Sequence, residues 1–276
     1  MTIPADNHVH TEWSWDAPGG AMTETCRRAV ELGLPAVAFT EHVDLTRWTV
    51  RPGELDEFPH LQRYETAGLE VVPPAFDADG YLAAVERCRD LFPGLRIVTG
   101  VEFGEPHRYP SQVAELLGGH RFDRVLGSLH CLPVGERFYE VGGLYFDRAP
   151  GDVLREYLAE IPRLVAGDDR FEVLAHIDYA IRSWPADGPP FEVGEFEDEF
   201  RRALRSLAGR TLEVNTRRRP IPEIVRWWRE EGGATISFGS DAHAPAALAH
   251  GFAEAAAMVE AHGFRPGRHP YDVWRR

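Results

Sequence analysis

The stretch TISFGSDAH at residues 235–243 combines the two features on which the fold assignment depends. Its first part, TISFGS at 235–240, is short and rich in apolar and β-branched residues, which is typical of a buried strand. Directly after it stand Asp241 and His243, whose side chains bind metals in proteins. This order predicts a parallel strand whose carboxyl end faces a functional site.

Six further stretches of the same kind precede this one along the chain. The predicted strands cover residues 3–8, 35–40, 96–102, 124–130, 173–177 and 211–215. Longer helical patterns alternate with them, at 77–92, at 152–165 and from about 221 to the pair Gly232–Gly233. This alternation predicts seven βα units around a parallel sheet.

Residues that can bind a metal stand at the end of almost every predicted strand. They are His8, His10, His42, Glu102, His130, His176, Asn215, Asp241 and His243. The carboxyl ends of parallel barrel strands converge on one face, so these side chains should share one mouth. Buried unpaired charges are costly, and bound cations would offset the cost of six imidazoles and several carboxylates in one cavity. The sequence therefore predicts a metal centre.

Length and composition favour a single domain spanning residues 1–276, with 43% hydrophobic residues. The chain has no apolar run of membrane-spanning length, and its first residues lack the pattern of a signal peptide. Cys26, Cys88 and Cys131 form no CxxC pair, which indicates reduced structural thiols. We expect a cytoplasmic protein that does not associate with a membrane.

The charge distribution restricts the function further. A net charge of −14 without a clustered basic face argues against nucleic-acid binding. All 30 basic residues are arginine, and the absence of lysine excludes a P-loop lysine, a Schiff-base lysine and a carbamylated bridging lysine. The last exclusion weighs against a metal-dependent amidohydrolase.

Seven segments stand in order between residue 6 and about residue 245: DNHVHTEWSWDA, AFTEHVD, GVEFGE, GSLHCL, LAHIDY, LEVNT and FGSDAH. They resemble the successive motifs of PHP (polymerase and histidinol phosphatase) phosphoesterases. The TEH, AHID, EVNT and GSDAH forms are similar to the histidinol-phosphatase branch. The resemblance implies an α/β fold, a distorted (β/α)7 barrel with its active site at the C-terminal ends of the strands.

The resemblance also implies three divalent metal ions, which would be zinc, manganese or iron. The first would be held by His8, His10, Glu102 and Asp241, the second by Glu102, His130 and His176, and the third by Asp16, His42 and His243. Only the resemblance indicates Asp16, since the segment SWDA by itself resembles an ordinary loop. The expected substrate is small and phosphorylated, namely histidinol phosphate.

In the expected mechanism, water or hydroxide between two ions attacks phosphorus in line. Asp241 or His243 would give a proton to the departing alkoxide. Arg182, and after it Arg217, would bind phosphate oxygens. Four further residues could accept hydrogen bonds from the amino and imidazole groups of histidinol: Glu41, Glu105, Asp178 and Asn215.

Two alternatives remain open at this level. The same metal centre could serve another PHP-type substrate, such as a nucleotide, a short oligonucleotide or a phosphotyrosine protein. The chain could instead be a non-catalytic interaction module stabilised by metals. A complete ligand set at a barrel mouth weighs against the second alternative, because a structural site closes its coordination and needs no such cluster.

Overall fold

A sheet of eight strands forms the centre of the computed structural model, which describes residues 3–56, 58–207 and 209–276. Within these residues the strands are β1 (Asp6–Val9), β2 (Ala36–Asp44), β3 (Trp48–Thr49), β4 (Glu70–Val71), β5 (Arg96–Gly104), β6 (Arg124–Ser128), β7 (Cys131–Val134), β8 (Arg137–Glu140), β9 (Val173–Leu174), β10 (Thr211–Asn215), β11 (Thr235–Gly239) and β12 (Trp274–Arg275). The sheet order is β1-β2-β5-β6-β9-β10-β11-β12. The pairs β3–β4 and β7–β8 form two separate antiparallel ribbons.

Seven strands of the sheet are parallel, and β12 pairs with β11 in the antiparallel direction. The sheet closes where the segment after β11 returns to β1. Asp241 N donates to His8 O at 2.8 Å, and His10 N donates to Ala242 O at 2.9 Å. The predicted seven-stranded, distorted α/β barrel is confirmed.

Helices connect the parallel strands and cover the outside of the sheet. They are α1 (Met22–Leu32), α2 (Ala78–Leu91), α3 (Pro110–Gly119), α4 (Val141–Leu144), α5 (Pro150–Gly167), α6 (Glu197–Ser206), α7 (Pro222–Glu230) and α8 (Phe252–Ala261). The three helices predicted from the sequence correspond to α2, α5 and α7. No helix in the described part of the chain has the length and apolar character that crossing a bilayer requires.

Two large apolar clusters join these helices to the sheet. One lies beneath α5 to α8 and contains the fully buried side chains of Tyr157, Phe200 and Trp227. The other lies beneath α1 and α2 and contains Cys26 and Tyr81. All three cysteines are buried free thiols, as expected for structural residues.

Several strand boundaries differ from the prediction for local reasons. The second strand extends to Asp44, beyond the predicted end at residue 40. The fifth parallel strand stops after Val173–Leu174, because His176 N donates to the carboxylate of Glu213 at 2.7 Å. The fourth ends at Ser128, and the chain then enters the β7–β8 ribbon, which the sequence pattern did not predict.

The described residues of the charged and proline-rich segment 43–75 are packed against the barrel. It contributes Trp48, Val50 and Val71 to an apolar cluster that also includes Cys131 at the start of β7. Trp15 packs against this cluster, and its indole ring lies 5.1 Å from the ring of Tyr64. The segment therefore borders the carboxyl end of the barrel next to the β7–β8 ribbon.

Candidate metal centre

All nine residues predicted to bind metals gather at the carboxyl end of the barrel. The potential ligand atoms of eight of them, together with Asp44, form overlapping groups of three within 4.8 Å, namely His8–His10–Asp241, His8–Glu102–His176, His10–His42–His243 and His42–Asp44–His130. Asn215, which ends the sixth parallel strand, is buried beside them. The convergence predicted from strand order is thus present in the structure.

Glu102 on β5 lies at the middle of the cluster and is fully buried. Its Oε2 is 3.1 Å from His8 Nε2, and its Oε1 is 2.7 Å from His176 Nε2. Three more imidazole nitrogens lie within 3.4 Å of its oxygens: His10 Nε2, His42 Nδ1 and His130 Nε2. One carboxylate thus contacts five histidines from four different strand ends.

Two further aspartates complete the cluster on the side of the barrel closure. Asp241 Oδ1 lies 3.4 Å from His10 Nε2. Its backbone has a φ of 53°, a left-handed conformation that turns the chain sharply after β11. Asp16 Oδ2 lies 3.2 Å from His243 Nε2 and 3.4 Å from His42 Nε2. Asp16 is therefore close to both histidines with which the family resemblance grouped it.

The donor set fits divalent cations. His8 Nε2 and His10 Nε2 face each other at 3.0 Å, and carboxylate oxygens surround them. The buried Oδ1 of Asp16 has no hydrogen-bond partner among the residues that the structure describes. Mixed imidazole nitrogen and carboxylate oxygen ligands suit zinc, manganese and iron. The residues present can therefore hold such ions.

The imidazoles of the cluster differ in their affinity for protons. Burial lowers the pKa of His10 to about 4, and the neighbouring His42 and His243 add to this effect. For His42, burial also acts to lower the pKa, but the charges of Asp16 and Glu102 outweigh it and raise the pKa to about 9. The His10 imidazole is thus neutral at pH 7, whereas the His42 imidazole keeps its proton because of the neighbouring carboxylates.

Asp44 is a member of the cluster that the sequence analysis missed. It ends β2, with Oδ1 3.3 Å from His130 Nδ1 and Oδ2 3.6 Å from His42 Nδ1. The indole of Trp15 donates to Asp44 Oδ2 at 3.0 Å. His42 and Asp44 stand two residues apart in one strand and so share a face. This signal was lost because the predicted strand ended at residue 40.

Glu213 on β10 is a second missed residue, and it supports the cluster from behind. Its Oε1 lies 2.7 Å from His8 Nδ1, while its Oε2 accepts from His176 N at 2.7 Å and from Asn215 Nδ2 at 3.1 Å. Such outer carboxylates fix the orientation of metal-binding histidines. Its spacing of two residues from Asn215 was the available sequence signal.

The two arginines predicted to bind phosphate both lie next to Asp241. Arg182 Nη1 donates to Asp241 Oδ2 at 2.6 Å. Its Nε and Nη2 are buried and have no hydrogen-bond partner within residues 3–56, 58–207 and 209–276. Arg217 Nη1 contacts the backbone oxygen of Asp241 at 3.1 Å and His243 Nδ1 at 2.9 Å. The Arg217 side chain is 46% exposed, against 14% for Arg182.

The remaining predicted substrate contacts are engaged with the chain itself. The Glu41 carboxylate is fully buried and accepts hydrogen bonds from Thr11 and Ser14. Glu105 is buried as well and accepts from Thr46 Oγ1, His130 N and Cys131 N. Because donors of the protein occupy both carboxylates, the proposed substrate site includes neither Glu41 nor Glu105.

Asn215 and Asp178 were also predicted to contact histidinol. Asn215 is held between Glu213 and the backbone of Arg217, whose N donates to Asn215 Oδ1 at 3.0 Å. Asp178 precedes the short helical turn Tyr179–Ser183, and burial raises the pKa of its carboxyl group. Their contact with a substrate stays a prediction.

Comparisons with known proteins agree with this architecture. The PHP domain family model matches residues 6–217. A histidinol-phosphatase of Lactococcus lactis subsp. lactis is 25% identical over 252 residues, which cover 86% of this chain and 83% of that protein. A Deinococcus radiodurans protein named "Probable histidinol-phosphatase" is 28% identical over 283 residues, which cover 96% of each chain.

Among solved structures, the fold resembles histidinol phosphate phosphatase from Lactococcus lactis in complex with zinc, L-histidinol and phosphate. The TM-score is 0.79 at 21% identity, and the alignment covers 98% of both chains. Since the family model matches most of the sequence and the barrel carries its ligand cluster at the expected end, this chain belongs to the PHP domain family.

Proposed function

We propose that this chain hydrolyses L-histidinol phosphate to L-histidinol and phosphate as a metal-dependent phosphomonoesterase. The observation that carries the proposal is the group of imidazoles around Glu102 at the mouth of a PHP barrel, next to a buried arginine with uncommitted donors. Relatives that match most of the chain are named as histidinol-phosphatases. A cytoplasmic location and a small substrate, without nucleic acid, complete the proposal.

We assign three divalent cations, zinc, manganese or iron, to the cluster. The proposed ligands are His8, His10, Glu102 and Asp241 for the first, Glu102, His130 and His176 for the second, and Asp16, His42 and His243 for the third. When bound, such cations supply positive charge for the phosphoryl group and activate water as the nucleophile. The distances around Glu102, Asp241 and Asp16 support this grouping. A relative of known structure was crystallised with zinc.

Arg182 is the proposed anchor of the substrate phosphate. Its Nη1 is fixed by Asp241, so the guanidinium is held in one orientation. The uncommitted Nε and Nη2 groups are suited to a forked contact with two phosphate oxygens. Arg217 is more exposed and would provide a second, weaker contact.

Asp241 and His243 were both predicted as proton donors to the leaving group, and their surroundings favour His243. Burial acts to raise the pKa of Asp241, but the positive charges of Arg182 and His8 outweigh it and hold the pKa well below its usual range. An ionised carboxylate has no proton to give. His243 is about 21% exposed at the mouth, where it can reach a departing alkoxide.

A substrate comparison tests the proposed function. The purified chain, loaded with zinc or manganese, should hydrolyse histidinol phosphate with a kcat/KM about 100-fold or more above that for a nucleoside monophosphate, a short oligonucleotide or a phosphotyrosine peptide. His8→Ala and Asp241→Ala should abolish the reaction. His120→Ala, on the outside near Asp79, is the matched control. Equal rates on the nucleotide substrates would reject histidinol phosphate as the substrate.

A further inference from the structure

We infer that Ser14 and Glu41 form a buried relay that orients the His10 imidazole for cation binding, which makes Ser14 a positioning residue of the metal centre. The inference deepens the proposed function and rests on it, since His10 is proposed as a ligand. Ser14 lies in the segment after β1, and Glu41 lies on β2. All three side chains are buried, with at most 3% exposure.

Three contacts converge on the Ser14 hydroxyl. Its Oγ lies 2.6 Å from Glu41 Oε2 and 3.0 Å from His10 Nδ1. The backbone N of His42 also donates to it at 3.0 Å. One serine thus connects two proposed ligands from adjacent strands, His10 and His42, with a single carboxylate.

The number of available protons determines the direction of these bonds. A serine hydroxyl has one proton to donate and two lone pairs that accept. The short contact with the Glu41 carboxylate is where the hydroxyl proton is most strongly held. Both lone pairs are then left to accept, one from His42 N and the other from His10 Nδ1–H. The proton of the neutral His10 ring is therefore on Nδ1.

This tautomer leaves the lone pair of His10 on Nε2. That atom lies 3.4 Å from Glu102 Oε2 and 3.4 Å from Asp241 Oδ1, on the side of the proposed cations. The opposite tautomer would put a proton between His10 and any cation. The relay therefore selects the form of His10 that can act as a ligand.

The Glu41 end of the relay is itself fixed. Its Oε1 accepts from Thr11 Oγ1 at 2.6 Å, and its Oε2 also accepts from Thr11 N at 2.9 Å. Thr11 directly follows His10, so the same carboxylate holds the backbone beyond β1. Because Glu41 cannot turn away without breaking these bonds, the hydroxyl proton of Ser14 keeps its direction.

The two histidines of the His8–His10 pair are thus supported in different ways. His8 Nδ1 contacts the Glu213 carboxylate directly at 2.7 Å, whereas His10 Nδ1 reaches the Glu41 carboxylate through the Ser14 hydroxyl. A carboxylate behind a metal-binding histidine is a common support, and its loss typically weakens metal binding 10- to 100-fold. The serine extends this support to a carboxylate on the neighbouring strand.

Ser14→Ala tests the relay, with Ser128→Ala as the matched control. Ser128 is also buried at a strand end, but among the residues that the structure describes its hydroxyl donates only to the backbone oxygen of Phe103. Zinc affinity is measured by competition with a chromophoric chelator, and ligand geometry by the absorption spectrum of the cobalt-loaded protein. We expect Ser14→Ala to weaken one zinc site about 10- to 100-fold and to change the cobalt spectrum, with Ser128→Ala unaffected in both.

Two further variants separate positioning from packing. Ser14→Thr keeps the hydroxyl and should restore zinc affinity and the cobalt spectrum. Glu41→Met keeps much of the bulk but offers the Ser14 hydroxyl no acceptor, so it should weaken zinc binding as Ser14→Ala does. Circular dichroism verifies that each variant is folded.

The outcomes distinguish the relay from the proposed function. Wild-type zinc affinity and an unchanged cobalt spectrum in folded Ser14→Ala would overturn the relay while leaving the phosphatase proposal intact. A wild-type chain that binds zinc but hydrolyses no phosphomonoester would contradict the proposed function, and the chelator titration of the variants would still decide the relay. A wild-type chain that binds no cation would overturn both.

Discussion

Arg182 is the side chain on which we expect substrate affinity to depend most. Its replacement by glutamine would remove the charge and the forked donor while keeping a polar side chain. Hydrogen bonds to charged groups contribute about 1.5–3 kcal/mol each, so KM for histidinol phosphate should rise about 10- to 100-fold. Steady-state kinetics at fixed metal concentration measures the change.

A surface arginine provides the control for this experiment. Arg205 is 65% exposed, and its Nε donates to Glu231 on the outside of the barrel. Arg205→Gln should leave KM unchanged. An unchanged KM in Arg182→Gln as well would remove Arg182 from the phosphate site and leave Arg217 as the candidate.

The proton donor can be identified from the leaving group. Histidinol phosphate releases a poor alkoxide leaving group that needs a proton, whereas p-nitrophenyl phosphate releases a stable phenolate. If His243 donates the proton, His243→Ala should lower kcat for histidinol phosphate about 100-fold or more, and kcat for p-nitrophenyl phosphate much less. Equal losses on both substrates, with one metal missing by elemental analysis, would instead indicate that His243 acts only as a ligand.

The site residues that the sequence predicted are recognisable from local spacing, whereas those that it missed depend on contacts between distant strands. His8, His10, Asp241 and His243 could be found because their types and spacing at strand ends are visible along the chain. Glu213 had only its spacing of two residues from Asn215 as a signal, since its role depends on its contact with His8 on another strand. Such a contact follows from how the sheet curves and closes, which no local pattern records.

At the level of elements, Glu160 attaches helix α5 to the turn after β5. Its buried carboxylate accepts hydrogen bonds from His107 Nε2 at 3.1 Å, from Arg163 Nη1 at 2.8 Å and from Arg108. The turn begins at Glu105, whose φ of 49° is unusual for a residue other than glycine. The Glu105 carboxylate accepts a hydrogen bond from the backbone N of His130. The attachment of α5 to this turn therefore helps to position a proposed metal ligand.

Glu160→Gln should lower the free energy of unfolding by about 2 kcal/mol at neutral pH, since it removes a charged acceptor that three donors share. Burial acts to raise the pKa of Glu160, but the bonds from His107 and Arg163 prevail and lower the pKa from 4.5 to about 2. A depressed pKa stabilises the folded state above pH 4.5, and this contribution is lost as the pH falls toward 2.

Urea unfolding at a series of pH values measures this effect. The difference between the wild type and Glu160→Gln should be largest above pH 5 and should shrink as the solution becomes more acidic. Glu156→Gln on the same helix is the control, because its side chain is 50% exposed and surface ion pairs contribute little. A difference that did not vary with pH would mean that the carboxylate charge is not what attaches α5.

A strand pattern in the sequence predicts that a barrel strand forms more reliably than it predicts the residue at which that strand ends. The runs at 96–102 and 211–215 are apolar and β-branched, and both form strands of the barrel. The run at 173–177 has the same character, yet its ladder with β10 does not extend past Leu174, because a glutamate side chain takes the backbone donor of His176. The β7–β8 ribbon likewise begins where Glu105 accepts from Cys131 N. Both boundaries are set by buried side chains from elsewhere in the chain.

For the molecule as a whole, the single domain expected from length stays a prediction with a direct test. The first strand and the segment after β11 are hydrogen-bonded to each other, so unfolding of either end should open the barrel. We expect one cooperative transition in urea, with tryptophan fluorescence and far-ultraviolet circular dichroism giving coincident curves. Two separated transitions in the metal-loaded protein would show that the chain unfolds in more than one unit.

Cations at the proposed sites would also link the two ends of the chain, since His8 and His10 come from β1 and Asp241 and His243 follow β11. A ligand that binds only the folded state stabilises it by about 1.4 kcal/mol for each tenfold increase in free concentration above its Kd. Removal of zinc with a chelator should therefore lower Tm, and added zinc should restore it. The same titration on Asp241→Ala should show a smaller shift.

The gain in Tm on zinc binding should increase with pH, because of the charges around His42. Asp16 and Glu102 outweigh burial and raise the pKa of His42 to about 9, so at neutral pH a cation must displace a proton from this imidazole. Zinc affinity should then increase about tenfold per pH unit for each proton displaced, up to pH 9, and the Tm gain at a given zinc concentration should be larger at pH 8 than at pH 6. Calorimetric titrations in buffers of different ionisation enthalpy count the released protons directly. A gain in Tm that is the same at both pH values, with no proton release, would mean that zinc binds elsewhere than at His42.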